Sequence, residues 1–194
     1  MQHIAIFASG SGSNAEKIIQ HFSSQTLIKV SLVVCNRKEA GIWDIAKSHN
    51  IPSAYFPKSK LYDSNDIIKI LQAHHCNWIV LAGFLLKIPA SVLEAYPNKI
   101  INIHPALLPK FGGKGMYGMH VHKAVQEAGE TETGISIHLA NENYDEGQMI
   151  AQHRCELNKS DDAEDIRAKV QALEHKFFAI EIEQYIRKNS GIES

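Results

Sequence analysis

The sequence predicts an α/β fold, in which a doubly wound, mostly parallel β-sheet carries helices on both faces. Short apolar segments alternate with helical patterns from residue 3 to residue 104, the order of elements that builds such a sheet. The segment Trp78–Ala82 is apolar throughout, as expected for a central parallel strand that is covered on both faces. The 194 residues are 44% hydrophobic and 21% charged, which suits a substantial core. We expect a single domain over residues 1–194, with an N-terminal βα half at 1–104 and a C-terminal half at 105–194.

Five strands are predicted in the N-terminal half. They are His3–Ala8, Leu27–Val34, Ile51–Phe56, Trp78–Ala82 and Ile100–His104. Between them, apolar residues recur at helical spacing, so that one face of each helix can pack on the sheet. The first predicted helix has Ala15, Ile18, Ile19 and Phe22 on its inner face, and the others are Ala40–His49, a helix around Ile67–Leu71 and Pro89–Tyr96.

The C-terminal half predicts an antiparallel extension and a long helix. Glu132–Leu139 alternates with a period of two, which indicates a half-exposed strand, and Met149–Cys155 is its predicted partner. A helix is predicted to begin within Ser160–Glu164, where acidic residues suit a helix N-terminus, and to extend to Lys188. Its core positions are expected at Ile166, Val170, Leu173, Phe177 and Ile180.

Composition and charge exclude several classes of protein. The net charge is −1 at pH 7, so the chain lacks the basic surplus that nucleic acids and anionic membranes attract. The three cysteines are far apart and form no CxxC pair, which favours reduced thiols over a disulfide framework or a zinc site. Residues 1–6 show no signal-peptide pattern. We expect a cytoplasmic, soluble protein that binds neither nucleic acid nor membrane and needs no metal.

Asn102 and His104 are the first candidates for chemistry. They lie two residues apart on a predicted strand, so their side chains leave the same face, and Pro105 ends the strand directly after them. Ligands of open α/β sheets bind at the carboxyl ends of the strands. An amide donor beside an imidazole suits a reaction in which negative charge develops on oxygen.

The loop Ser9–Asn14 is a candidate phosphate site. It leads from a strand into a helix, whose first N–H groups attract anions, and its glycines allow close backbone approach. It lacks GxGxxG spacing and the lysine of a Walker A motif, so a dinucleotide or a nucleoside triphosphate is disfavoured. These residues are equally compatible with a plain turn in which Ser13 or Asn14 caps the helix.

Two motifs give the chain a recognisable resemblance. N-I-H-P-A-L-L-P at residues 102–109, with G-S-G-S-N at residues 10–14, resembles the signature of the formyltransferases that use 10-formyltetrahydrofolate, and the similarity covers nearly the whole chain. The resemblance implies a Rossmann-like formyltransferase fold and a transferase of one-carbon metabolism. The expected reaction moves a formyl group from 10-formyltetrahydrofolate, as co-substrate, to the amine of N1-(5-phospho-D-ribosyl)glycinamide in de novo purine biosynthesis. The expected enzyme is a monomer or a homodimer without a metal.

The resemblance also implies roles for individual residues. Catalysis would involve Asn102, His104 and Asp145, and the ribonucleotide would be held by Gly12, Ser13, Asn14, Gln171 and Glu174. The folate would be held by Leu85, Leu86, Lys87, Ile88, Asn102, Asn141, Glu142, Asn143, Tyr144 and Asp145. Without the resemblance, Glu174 is an ordinary surface carboxylate and Ala140–Gly147 an ordinary acidic turn.

The chain departs from the family pattern in three places. Family members often carry Arg at the position of Leu86 and Gly at that of Glu146, and the glycine-rich loop Lys110–Gly118 is longer than usual. Contacts through the backbone of Leu86 survive its change. His120 and His122 are two residues apart in a predicted helix and do not share a face, so a metal site on them is not expected. His120, His122 or neither could position the substrate.

Other functions stay open at this point. A formyltetrahydrofolate deformylase shares the central triad but delivers the formyl group to water. A methionyl-tRNA formyltransferase shares N-x-H but needs a basic tRNA surface, which a net charge of −1 does not predict. A non-catalytic phosphate-binding module would explain the N-terminal loop and leave Asn102 and His104 without a role.

Overall fold

A computed structural model of the protein describes residues 1–63 and 65–192. Its strands are β1 (Gln2–Ala8), β2 (Ile28–Cys35), β3 (Ser53–Tyr55), β4 (Trp78–Leu81), β5 (Ile100–His104), β6 (Glu132–Leu139) and β7 (Met149–Glu156). Its helices are α1 (Ser13–Phe22), α2 (Ile42–Ser48), α3 (Lys58–Asp63), α4 (Asp66–Ala73), α5 (Ala90–Ala95), α6 (Met119–Glu127) and α7 (Ala163–Ser190). The short helix α3, directly after Pro57, was not expected from the sequence.

The strands form one sheet in the order β3-β2-β1-β4-β5-β6-β7. Strands β1 to β5 pair with one another in parallel, whereas β6 is antiparallel to both β5 and β7. This arrangement confirms the predicted doubly wound sheet, its antiparallel extension and the long C-terminal helix. The chain order reverses between β1 and β4, and ligands of such sheets bind outside the carboxyl ends of the strands at this point.

Two apolar layers cover the sheet, because successive residues of a strand point to opposite faces. On one face, Ile4 and Ile6 of β1 belong to a buried cluster with α1, α2 and α7. On the other face, Ala5 and Phe7 belong to a second cluster with α4 and α5. Full burial of a side chain such as Phe7 contributes about 1.5–3 kcal/mol. No helix among the described residues is long and apolar enough to cross a membrane.

The prediction that β6 is half exposed was wrong. From Thr133 to Leu139 every residue of β6 is buried. The apolar side chains of β6 pack towards α7, and the loop after β5 covers the opposite face. There the hydroxyl of Ser136 donates to the carbonyl of Ala106 at 2.7 Å and accepts from the N–H of Leu108 at 2.9 Å. The polar side chains that alternate along β6 therefore lie on a face that another segment of the chain covers and supplies with hydrogen-bond partners.

Of the five predicted core positions of α7, only Ile180 was wrong, because Leu173 and Phe177 are partly buried and pack against the core. Ile166 and Val170 are buried, but Ile180 is 40% exposed, and Phe178, Ile182 and Ile186 are buried instead. The buried positions thus follow a row with a spacing of four residues, which is inclined to the helix axis. We infer that α7 crosses the twisted sheet obliquely, so that its contact line moves around the helix. Asp162 caps the helix by accepting from the N–H groups of Glu164 and Asp165.

Candidate active site

The carboxyl end of β5 brings Asn102 and His104 to one cavity. The cavity has a volume of about 670 Å³ and extends along the carboxyl ends of β4 and β5. Both side chains line it, as their spacing on the strand predicted. His104 is only 3% exposed, so its ring interacts mainly with protein groups.

The two ring nitrogens of His104 have different partners. Nε2 lies 2.8 Å from the carbonyl oxygen of Phe111, and because a carbonyl only accepts, Nε2 carries the hydrogen. Nδ1 lies 3.4 Å from Oδ2 of Asp145. In the neutral ring Nδ1 is therefore unprotonated and faces a carboxylate, which favours uptake of a proton at that nitrogen.

Asp145 lies close to His104 although it is 41 positions later in the sequence. It belongs to the connection between β6 and β7 and has a positive φ of 58°. Its Oδ2 accepts from the backbone N–H of Gly113 at 2.9 Å. Gly112 packs closely here: a Cβ would lie 2.5 Å from Cδ2 of Leu108 and 3.3 Å from Cβ of Asp145, so a larger residue would require Leu108 to move. The start of the glycine-rich loop is thus attached to both His104 and Asp145.

His138 is a further member of this group that the sequence did not single out. Its Nδ1 lies 2.9 Å from the carbonyl oxygen of Leu139 and carries the hydrogen. In the neutral ring Nε2 is then an acceptor, and it lies 3.1 Å from Nδ2 of Asn102. The same Nε2 is 3.6 Å from Oδ1 of Asp145. His138 faces Asn102 across the antiparallel pair of β5 and β6. This pairing was not predicted from the sequence, and it is the signal that could have found His138.

Burial and charge shift the pKa values of this group in defined directions. Burial lowers the pKa of His104 below its ordinary value, although the charge of Asp145 and the hydrogen bond to Phe111 oppose this. Burial by itself would raise the pKa of Asp145, but the imidazoles of His138 and His104 and the N–H of Gly113 outweigh it and lower the pKa. At neutral pH the site therefore holds the neutral imidazole of His104 beside the carboxylate of Asp145.

One end of the cavity is an apolar slot. Most of the residues expected to bind folate line it: Leu85, Leu86, Lys87, Ile88, Asn141, Asn143 and Tyr144. Glu142 is exposed and does not line the cavity. The segment after β4 is held in place by Ser9, whose Oγ accepts from the N–H of Leu85 at 2.9 Å. The slot combines apolar side chains with backbone polar groups, which suits a flat heterocycle.

The other end of the cavity lies between α1 and α7. Asn14 lines it, and its Nδ2 donates to Oε2 of Glu174 at 2.9 Å. Gln171 also lines it, with Nε2 3.5 Å from Oγ of Ser13. Burial raises the pKa of Glu174, an effect that the hydrogen bond from Asn14 reduces. Glu174 is therefore a partly buried cavity residue, and the interpretation of it as an ordinary surface carboxylate was wrong.

Gly12 shapes this end without lining the cavity. It is the N-cap of α1 with φ 86°, and neither Ser13 nor Asn14 caps the helix. A Cβ at Gly12 would lie 2.8 Å from Cδ1 and 3.1 Å from Cα of Ile42, so both the backbone conformation and the packing require glycine. Ser13 does not line the cavity either, which leaves Asn14 as the residue of this loop that reaches it.

Two more polar residues, His122 and Arg167, line the cavity. His122 is 4% exposed and its Nδ1 has no hydrogen-bond partner, whereas His120 does not line the cavity. Arg167 precedes Gln171 by one helical turn, a spacing that could have indicated a shared face. Among the described residues no group of three His, Cys, Asp or Glu side chains could hold a metal ion.

The chain matches the family model described as formyl transferase over residues 2–182. It is 40% identical to the chloroplastic phosphoribosylglycinamide formyltransferase of Arabidopsis thaliana over 181 residues, 90% of this chain and 62% of that protein. It is 36% identical to the phosphoribosylglycinamide formyltransferase of Bacillus subtilis over 195 residues, 98% of this chain and 97% of that protein. The chain thus spans less than two thirds of the chloroplastic relative and nearly all of the bacterial one.

A solved structure shows the same fold. The crystal structure of phosphoribosylglycinamide formyltransferase from Bacillus halodurans superposes with a TM-score of 0.86 at 32% sequence identity and covers 97% of each chain. The family model matches the segment that contains all seven strands of the sheet. The chain belongs to the formyl transferase family.

Proposed function

We propose that this protein transfers a formyl group from 10-formyltetrahydrofolate to the amine of glycinamide ribonucleotide, a step of purine biosynthesis. One observation carries the proposal. Asn102, His104 and Asp145 line the middle of a cavity with an apolar slot at one end and the Asn14–Glu174 pair at the other. Folate in the slot and ribonucleotide at the opposite end would meet beside these three groups.

Asn102 is proposed to stabilise the transition state. Attack of an amine on the formyl carbon gives a tetrahedral intermediate with a negative oxygen, and fixed N–H donors near that oxygen lower the barrier. The Nδ2 group of Asn102 has two N–H bonds, and His138 accepts from one of them. The second is available for the substrate oxygen, in an orientation that His138 maintains.

His104 and Asp145 are proposed to handle the protons. The attacking amine must lose a proton, and N10 of the folate must gain one as it leaves. The unprotonated Nδ1 of His104, 3.4 Å from Asp145, can take up a proton that the carboxylate then stabilises. The proton can return to the leaving nitrogen from the same pair, so that no covalent enzyme intermediate is needed.

The decisive experiment gives the purified protein 10-formyltetrahydrofolate with glycinamide ribonucleotide, with tRNA, or alone. We expect formylated ribonucleotide and tetrahydrofolate in equal amounts in the first mixture. Free formate formed without an acceptor at a comparable rate would instead identify a deformylase-like hydrolase, and no product in any mixture would indicate a binding module. Variant His120→Ala is a matched control for His104→Ala, because His120 does not line the cavity.

A cytoplasmic location and a monomeric or homodimeric state also stay proposals. The small, polar substrates and the absence of a long apolar helix among the described residues are compatible with the first. Fractionation of cells and light scattering of the purified protein test the two separately.

A further inference from the structure

We propose that Arg167 binds the phosphate of the ribonucleotide and so determines that the acceptor is a phosphorylated riboside. The inference rests on the proposed function and adds a residue that the family resemblance did not supply. It starts from the charges around the cavity. The described residues that line it include three cations, Lys87, Lys114 and Arg167, and two carboxylates, Asp145 and Glu174.

The position of Arg167 on α7 is the first argument. Arg167, Gln171 and Glu174 follow one another at spacings of four and three residues, so they share one face of the helix, and all three line the cavity. The seven residues from Arg167 to Glu174 span about 10 Å along the helix axis. A cation and a carboxylate thus stand at opposite ends of the same face.

The ribonucleotide needs such an arrangement. Its phosphate carries close to two negative charges, which the Glu174 carboxylate repels, whereas ribose hydroxyls and an amine can donate to that carboxylate. The first turn of α1 approaches the middle of the α7 face, because Ser13 Oγ lies 3.5 Å from Gln171 Nε2. A phosphate received there would be attracted by the N–H groups of α1 and drawn towards Arg167, away from Glu174.

The guanidinium of Arg167 has donors to spare. Its Nε donates to Oε2 of Glu164 at 2.6 Å, one helical turn earlier, and this bond orients the group. Within residues 1–63 and 65–192 no other acceptor is recorded for it. The two terminal amino groups can therefore bind two phosphate oxygens together, the geometry for which arginine is best suited.

His122, which lies near Arg167, does not add a second positive charge to this side of the cavity. Burial, followed by the charge of Arg167, lowers the pKa of His122 to about 4, so the imidazole is neutral at physiological pH. Lys87 lies at the far end of the cavity, with Nζ 5.8 Å from the centre of the Tyr144 ring. Lys114, on the glycine-rich loop, is the remaining alternative and is tested separately.

The test measures binding by calorimetry with two ligands, glycinamide ribonucleotide and the riboside that lacks its phosphate. The variants are Arg167→Gln and Lys114→Gln. Lys188→Gln removes the same charge from an exposed position of α7 and serves as the control. For Arg167→Gln we expect the ribonucleotide to bind about 10- to 100-fold more weakly, as the loss of a charge-assisted hydrogen-bond pair predicts. The riboside should bind all variants within twofold of the wild type.

Three results would overturn the inference. These are ribonucleotide binding by Arg167→Gln within twofold of the wild type, an equal loss for ribonucleotide and riboside, or a phosphate-dependent loss in Lys114→Gln instead. Turnover is measured in parallel and tests the proposed function independently. If the wild type binds the ribonucleotide but forms no formylated product, only the proposed function fails. If it turns over and Arg167→Gln is unchanged, only the role of Arg167 fails.

Discussion

The two polar regions of the cavity are built in different ways. Asn102, His104 and His138 lie on adjacent strands, and backbone pairing in the sheet determines their relative positions. The opposite region joins α1 to α7, where Asn14 meets Glu174 across 160 positions of sequence. The strand-borne group is mostly buried and closely hydrogen-bonded, whereas Arg167 is about half exposed. Under the proposed function, the strand region would act in the chemical step and the helix region would select the acceptor.

The largest expected effect tests the strand region directly. Replacing Asn102 or His104 with Ala should lower kcat by about 100- to 1000-fold. For Asn102 this is the effect of about 3–4 kcal/mol from one lost oxyanion donor, and for His104 it is the effect of losing the group that transfers the proton. Steady-state kinetics with both substrates measures this. The ribonucleotide affinity and the melting temperature serve as controls for folding. Near-normal turnover by His104→Ala would remove this residue from the proposed mechanism.

A second prediction concerns His122, which lies between the two regions. Its pKa of about 4 in the folded protein is below the ordinary value of 6.5, so the unfolded chain takes up a proton first on acidification. The free energy of unfolding should therefore fall as the pH drops from about 6.5 to 4, with a contribution from His122 of about 3 kcal/mol.

Urea unfolding of the wild type and His122→Gln at several pH values isolates this contribution. The variant cannot take up the proton, so its stability should depend less steeply on pH in this window. Parallel pH profiles for the two proteins would contradict a buried, neutral His122.

The third prediction asks whether His138 belongs to the chemical region. His138→Leu removes the acceptor that orients Asn102 and one of the imidazoles beside Asp145. We expect kcat to fall about tenfold, the effect of about 1.4 kcal/mol, while KM for the ribonucleotide stays within twofold. His153→Leu is the control, because His153 stacks on Phe177 and pairs with Glu181 outside the cavity. A KM effect without a kcat effect would assign His138 to substrate binding instead.

The smallest effect is expected in the helix region. Glu174→Gln keeps the shape of the side chain but removes a partly buried charge that accepts from Asn14. KM for the ribonucleotide should rise about three- to tenfold with little change in kcat, the pattern of lost uniform binding. Glu181→Gln, on the same helix but paired with His153, should leave both constants unchanged. A large fall in kcat for Glu174→Gln would break the proposed division between the regions.

Local pattern predicted the strand region better than the helix region. The period-two spacing of Asn102 and His104 was sufficient to place both on one cavity, because a strand has only two faces. Glu174 and Asn14 met only after α7 had packed against α1. The helical spacing of Arg167 and Gln171 could have indicated a shared face, and His122 was one of two candidate histidines, but their place in the cavity wall depends on the packing of α6 against α7.

The sequence alone determined the order and type of the main elements, the parallel sheet, and the strand that carries Asn102 and His104. It could do so because hydrophobic periodicity and the residues that end strands and helices act locally. Tertiary structure decided which polar positions are buried and which distant groups meet. The sequence assigned Ser136 and His138 to an exposed face, but both are buried. It assigned Ile180 to the core, but Ile180 is 40% exposed. The physical reason is that burial is a property of the assembled layers, and no single segment contains the surface that will cover it.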